Sequence, residues 1–88
     1  MKKRELERLL KAFANHRRLQ IVGYLKRTER ASVGGIAEHI KLSFKATSRH
    51  LAVLTNVGVL EKTQESLTMW HKLSELKSSV VSAILNNL

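Results

Sequence analysis

The sequence predicts a mainly α-helical domain with one small β-hairpin, about five helices and a two-stranded hairpin in all. Three observations predict it. Apolar residues recur every three to four positions from Leu6 to Val57, the period of a helix buried on one face. Past Gly58 the period drops to two, as in a half-buried strand: Leu67, Met69, His71 and Leu73 alternate with Thr68, Trp70 and Lys72. Polar residues that cap helices, Asn15, Ser32, Ser43 and Ser74, stand just ahead of the apolar-periodic runs.

Each element follows from these signals in order. Arg4 to Ala14 forms a first helix with Leu6, Leu9, Leu10 and Phe13 on one stripe. Asn15 caps a second, from His16 to about Arg27, that turns Leu19, Val22 and Leu25 inward with Ile21 beside them. Thr28 to Ala31 reads as a short polar connection. Ser32 caps a brief third helix carrying Ile36, Ala37 and Ile40, and Lys41-Leu42 leads tightly to Ser43. From there Leu51, Leu54 and Val57 line one face of a fourth helix, which Gly58 closes in the left-handed conformation. Two short helices joined by so few residues make a helix-turn-helix. Val59 to Gln64 and Leu67 to Leu73 form the hairpin about a Glu65-Ser66 turn. Ser74 then caps a last helix from Glu75 to the C-terminus, with Leu76, Val80, Val81, Ile84, Leu85 and Leu88 apolar.

Composition narrows the function. At 88 residues, without a repeat or a linker, the chain makes a single domain over 1–88. A domain this small buries only about 60–65% of its unfolded surface, so a partner subunit would stabilise it. Cysteine is absent, which excludes disulfides, thiolate metal sites and a cysteine nucleophile. No apolar run is long enough for a membrane span and no secretory segment opens the chain, so a cytoplasmic protein is expected. No Gly-rich phosphate loop, carboxylate pair or nucleophile elbow points to an enzyme. The net charge of +9 favours a polyanionic partner, and ten of the sixteen cations lie in residues 1–30. A basic membrane-surface helix would carry boundary aromatics, whereas the first helix has only Phe13. Nucleic acid is the better reading.

The fourth helix carries that reading furthest. From Leu42 to Leu60 there is no carboxylate, and its outward positions hold Lys45, Ser48, Arg49, His50 and Asn56. Arg binds guanine bidentately, Lys takes phosphate and Ser serves either. Lys45 and Arg49 are four apart and share a face. His50 borders the apolar side, where a structural role competes with a phosphate contact. Phe44, near the helix start, either packs inward or meets a thymine methyl. Arg17 and Arg18 begin the second helix, whose free amides already favour an anion. Lys62 and Lys72 offer further cations from the hairpin.

The order of helix, helix, helix-turn-helix, hairpin and terminal helix is that of a winged helix-turn-helix. The chain resembles the arsenic-repressor (ArsR) family of bacterial and archaeal regulators over nearly its whole length. The resemblance rests on AFANHRRLQIVGYL, SVGGIAEHIKLS, TSRHLAVLTNVGVLEK and MWHKL. It implies a double-stranded DNA partner, a nucleoid location and contacts from Lys45, Ser48, Arg49 and His50. With the apolar surplus of the outer helices it points to a homodimer joined through Leu6, Leu9, Phe13, Leu76, Val80, Val81, Ile84, Leu85 and Leu88. The chain departs from the family pattern at Asn15-His16, where Asp-Pro is usual, at Phe44 and Thr47, and at Glu65-Ser66, where the wing tip is commonly basic. Ser32 and Gly34 stand where the family's metal-binding thiols would fall, and the last helix holds no His. No metal effector and no cofactor are therefore expected. Two functions fit: a dimeric sequence-specific regulator, expected to repress, or an architectural or protein-interaction winged helix that holds nucleic acid without reading it.

Overall fold

The computed structural model describes all 88 residues. Five helices and three strands follow in the order α1 (Lys3–Phe13), α2 (His16–Thr28), β1 (Arg30–Ser32), α3 (Val33–Ile40), α4 (Phe44–Asn56), β2 (Leu60–Glu65), β3 (Thr68–Leu73) and α5 (Ser79–Leu85). It is a winged helix-turn-helix. The caps read from sequence form at three starts: Asn15, Ser32 and Ser43 accept from the amides of Arg18, Gly35 and Ala46 at 3.0–3.1 Å. Gly58 takes φ +80° after α4, a conformation that a side chain would strain.

Three local readings need correction. The polar stretch before Ser32 is not wholly a connection: Arg30–Ser32 is a strand, giving an antiparallel sheet of order β1-β3-β2. Arg30, Ala31 and Ser32 pair with Lys72, His71 and Trp70. Three residues are too few to display a period, so this pairing is a product of tertiary contact. The wing turn is Ser66-Leu67, one residue later than expected, with Glu65 and Thr68 as its last pair and Ser66 at φ +57°. Ser74 does not cap the last helix. It is buried, and its hydroxyl donates to the Gly58 carbonyl at 2.7 Å, which ties the end of β3 to the turn after α4. Ser78 caps α5 instead, accepting from Val81, and Leu76 lies outside any helix at 94% exposure.

The core gathers where α2, α3 and α4 cross above the sheet. Ile21, Val22, Leu25, Ile36, Leu51 and Leu54 are all but fully buried there. The α3–α4 turn is short because Lys41 adopts a left-handed φ of +55° and Leu42 returns an amide to Ala37 at 3.0 Å. α1 packs on α2 and α4, and α5 packs on α2; the two outer helices do not touch each other.

Thr47 is fully buried in α4, and its hydroxyl has no hydrogen-bond partner. Leaving such a group unsatisfied costs about 1–3 kcal/mol. Thr47→Val, of nearly the same shape, is expected to raise stability by about 1 kcal/mol in chemical denaturation without changing the fold.

Candidate nucleic-acid interface

Lys45 and Arg49 project from the exposed side of α4, and neither forms an ion pair within the chain. Thr47, Leu51 and Leu54 bury the opposite side, so the helix cannot rotate these cations away from solvent without exposing its core. Beside them runs an open groove of about 330 Å³ between α4 and the wing, whose rim includes Phe44, Ser48, Ala52 and Lys62. Lys62 reaches it because its register partner is His71, on the inward face of the sheet. Lys62 is the lysine or arginine that lines this groove, across from the Ser48 hydroxyl, while Lys45 and Arg49 stand one position further round the helix, outside its lining.

The other predicted residues are placed differently. Arg17 donates to the Ile40 carbonyl at the end of α3 and to Gln20 Oε1 at 3.3 Å. Arg18 donates through Nε to the Ala12 carbonyl and through Nη2 to the Lys11 carbonyl at 3.2 Å, and its Nη1 lies 3.1 Å from His50 Nδ1. Both guanidiniums, which the sequence left as either a phosphate clamp or solvated charge, are engaged at the C-terminal ends of neighbouring helices, where carbonyls lack partners and the dipole favours a cation. His50 accordingly accepts from Arg18. Lys72 lies on the outer face of the sheet, away from the groove, 3.3 Å from Glu75 and 3.9 Å from Glu61.

That outer face held a constellation the sequence reading missed. Arg30 Nη1 donates to both Glu65 oxygens at 2.9 and 3.0 Å, and its guanidinium carbon sits 4.1 Å from the Trp70 ring centre. The residues are 35 and 40 positions apart in the chain, so only the β1–β3 pairing reveals them. Glu65, the acid of the wing tip, is therefore neutralised from behind.

The expected dimer residues also divide. Leu9, Phe13, Val81 and Leu85 are 4–7% exposed within one chain and belong to its own core, which leaves little of their surface for a second subunit. Leu6, Val80 and Ile84 are half-buried, and Leu76 and Leu88 are exposed. Leu10, which the helical stripe had placed inward, is 47% exposed and lines a shallow groove along α1 with Leu6 and Ala14.

Two histidines titrate below the ordinary value of 6.5. Burial lowers His50, assisted by the charges of Arg18 and Arg17. Burial also lowers His71, 5% exposed with Nδ1 unpartnered, assisted by Lys62. The unfolded chain therefore binds protons that the folded chain resists, so stability is full above about pH 6.5 and falls as pH drops through the depressed folded values. Melting temperatures from pH 7.5 to 5 should decline accordingly, and the decline should flatten in the His50→Gln, His71→Gln double variant. No three His, Asp or Glu side chains converge as metal ligands must, and no helix is long and apolar enough to cross a membrane.

Comparison with known proteins places this geometry. Residues 15–62, from the cap of α2 to Lys62, match the profile of the bacterial regulatory protein, arsR family. The transcriptional activator HlyU of Vibrio cholerae is 39% identical over 80 residues, covering 91% of this chain and 73% of that protein. A solved structure of HlyU from the same organism superposes with a TM-score of 0.81 at 37% identity, over 99% of this chain and 92% of that one. A homodimeric winged helix-turn-helix DNA-binding domain from Mycobacterium bovis gives 0.80 at 25% identity, covering 96% and 74%. The transcriptional repressor PagR of Bacillus anthracis gives 0.78 at 25% identity, covering 96% and 92%. An unpaired basic helix on a winged scaffold, and a profile match that spans more than half the chain, lead to one assignment: the chain belongs to the arsR family of bacterial regulatory proteins, a family of DNA-binding transcriptional regulators and not of enzymes.

Proposed function

We propose that the chain is a homodimeric, sequence-specific regulator of transcription that acts on double-stranded DNA in the cytoplasm and represses by covering its site. The observation that carries this reading is the acid-free face of α4, with Lys45 and Arg49 unpaired beside the Lys62 groove. With α4 in a major groove and the wing beside the adjacent minor groove, the strand between them runs along that groove. Ser48 and Lys62 then take phosphate oxygens while Arg49 reaches base edges. Repression parallels the description of PagR; HlyU is described as an activator, and a promoter fusion read with and without the protein decides the sign.

Selection from a random DNA pool tests base reading. An inverted repeat should emerge, with half-sites about one helical turn, roughly 34–36 Å, apart. Binding without enrichment would favour the architectural alternative, for which the supporting observation is a wing tip, Glu65-Ser66-Leu67, that carries no cation.

The dimer rests on two outer helices that pack only inward and do not meet each other in the protomer. A two-fold pair would cover the remaining apolar residues Leu6, Leu10, Val80 and Ile84. Sedimentation at tens of micromolar should give a dimer. Leu10→Glu should yield a folded monomer, whereas Leu85→Glu should unfold the chain, because Leu85 is buried in the protomer. A wild-type monomer at that concentration would rule the assembly out.

A further inference from the structure

Phe44 is the first residue of α4, is 63% exposed, and lines the groove between that helix and the wing. With Ser48 and Ala52 it forms a row at intervals of four along the groove side of the helix, one position from Lys45 and Arg49. No acid lies on this helix, and the neighbouring unpaired cations select a polyanion as the partner surface. Recognition helices present their N-terminal residues to base edges. In the major groove, the apolar feature available to such a residue is the 5-methyl group of thymine.

Resting on the DNA-reading function above, we propose that Phe44 is a specificity-determining residue that packs on the 5-methyl group of a pyrimidine, one in each half-site. The Lys45 and Arg49 side chains draw the helix to the duplex, and the phenyl ring then excludes water from a single methyl. Ala52, further along the same row, leaves room for the backbone strand to pass. A polar residue in the place of Phe44 would be indifferent to that methyl, so the preference belongs to this chain's own side chain. Thymine supplies the group in ordinary DNA. A 5-methylcytosine presents the same methyl in the same groove, which would make a C·G pair at that position methylation-sensitive.

The experiment is a methyl scan of the selected operator, read by fluorescence anisotropy with the full chain. Each thymine is replaced in turn by deoxyuridine, which removes only the methyl. For the wild type, one position per half-site should lose about three- to fivefold in affinity, the scale of one buried methyl. Phe44→Ala should bind the thymine and uracil operators equally, and Phe44→Leu should retain part of the difference. Both variants should melt with the wild type, since the side chain they change is largely exposed. A second arm places C·G at the sensitive position with and without the 5-methyl. A gain on methylation in the wild type alone assigns the site to the methyl group whatever the base, and a uracil loss without that gain assigns it to thymine. A flat uracil scan on an enriched operator overturns this inference and leaves base reading by Arg49 standing, as does a uracil loss that persists in Phe44→Ala. If no sequence is enriched at all, both fall together.

Discussion

Arg49→Ala is expected to cost roughly 1–3 kcal/mol of operator affinity and to relax preference at one base pair in each half-site. The reason is geometric. Arg49 is exposed on α4, engages no acid in the chain, and sits one turn from Lys45 on a helix whose orientation is set by Leu51 and Leu54 beneath it. A bidentate guanidinium–guanine contact discriminates among bases, whereas a phosphate contact does not. Lys62→Ala supplies the contrast. It should weaken all sequences alike and flatten the dependence of affinity on salt by about one unit. Affinities over a set of operator variants at several salt concentrations separate the two. Identical behaviour of Arg49→Ala and Lys62→Ala on every sequence would mean that α4 does not read bases.

Arg18→Ala should lower stability by about 2–3 kcal/mol, roughly 10–20 °C in a domain of this size, and weaken DNA binding as a consequence. Its guanidinium joins three helices at once, through the carbonyls of Lys11 and Ala12 in α1 and Nδ1 of His50 in α4. Hydrogen bonds from a charged donor are worth about 1.5–3 kcal/mol each, and the half-exposed setting of Arg18 reduces the total below their sum. A phosphate clamp would behave otherwise: its removal would leave the melting temperature unchanged and reduce the salt dependence. Arg18→Lys should restore little, because an ammonium cannot present donors along three fixed directions. Melting of the free protein, set against the salt slope of its DNA complex, distinguishes strut from clamp.

Much of this protein was determined by the sequence alone, because local forces suffice where a pattern is long. The helix-turn-helix is the clearest case. Ser32, Ser43 and Gly58 punctuate two apolar-periodic runs, and caps, left-handed glycine and burial all agree on one arrangement. The basic character of α4 follows directly, since burying Leu51 and Leu54 leaves Lys45 and Arg49 outside. The wing was legible too, its alternation matching the β2–β3 register to within one residue at the turn. What only the tertiary structure decided concerns groups whose partners are distant in the chain. Arg17 and Arg18 look like free cations until α1, α3 and α4 bring carbonyls and an imidazole against them. Ser74 reads as a helix cap until the fold places the Gly58 carbonyl within reach of its hydroxyl. Arg30–Ser32 has too few residues for a period and becomes a strand only because β3 offers it an edge. The apolar stripe of α1 locates a buried face, yet how much of it the protomer covers depends on the angle at which α2 and α4 receive it. Leu9 and Phe13 are therefore inside while Leu10 remains exposed. Periodicity specifies which side of a helix is apolar; packing alone specifies where that side ends.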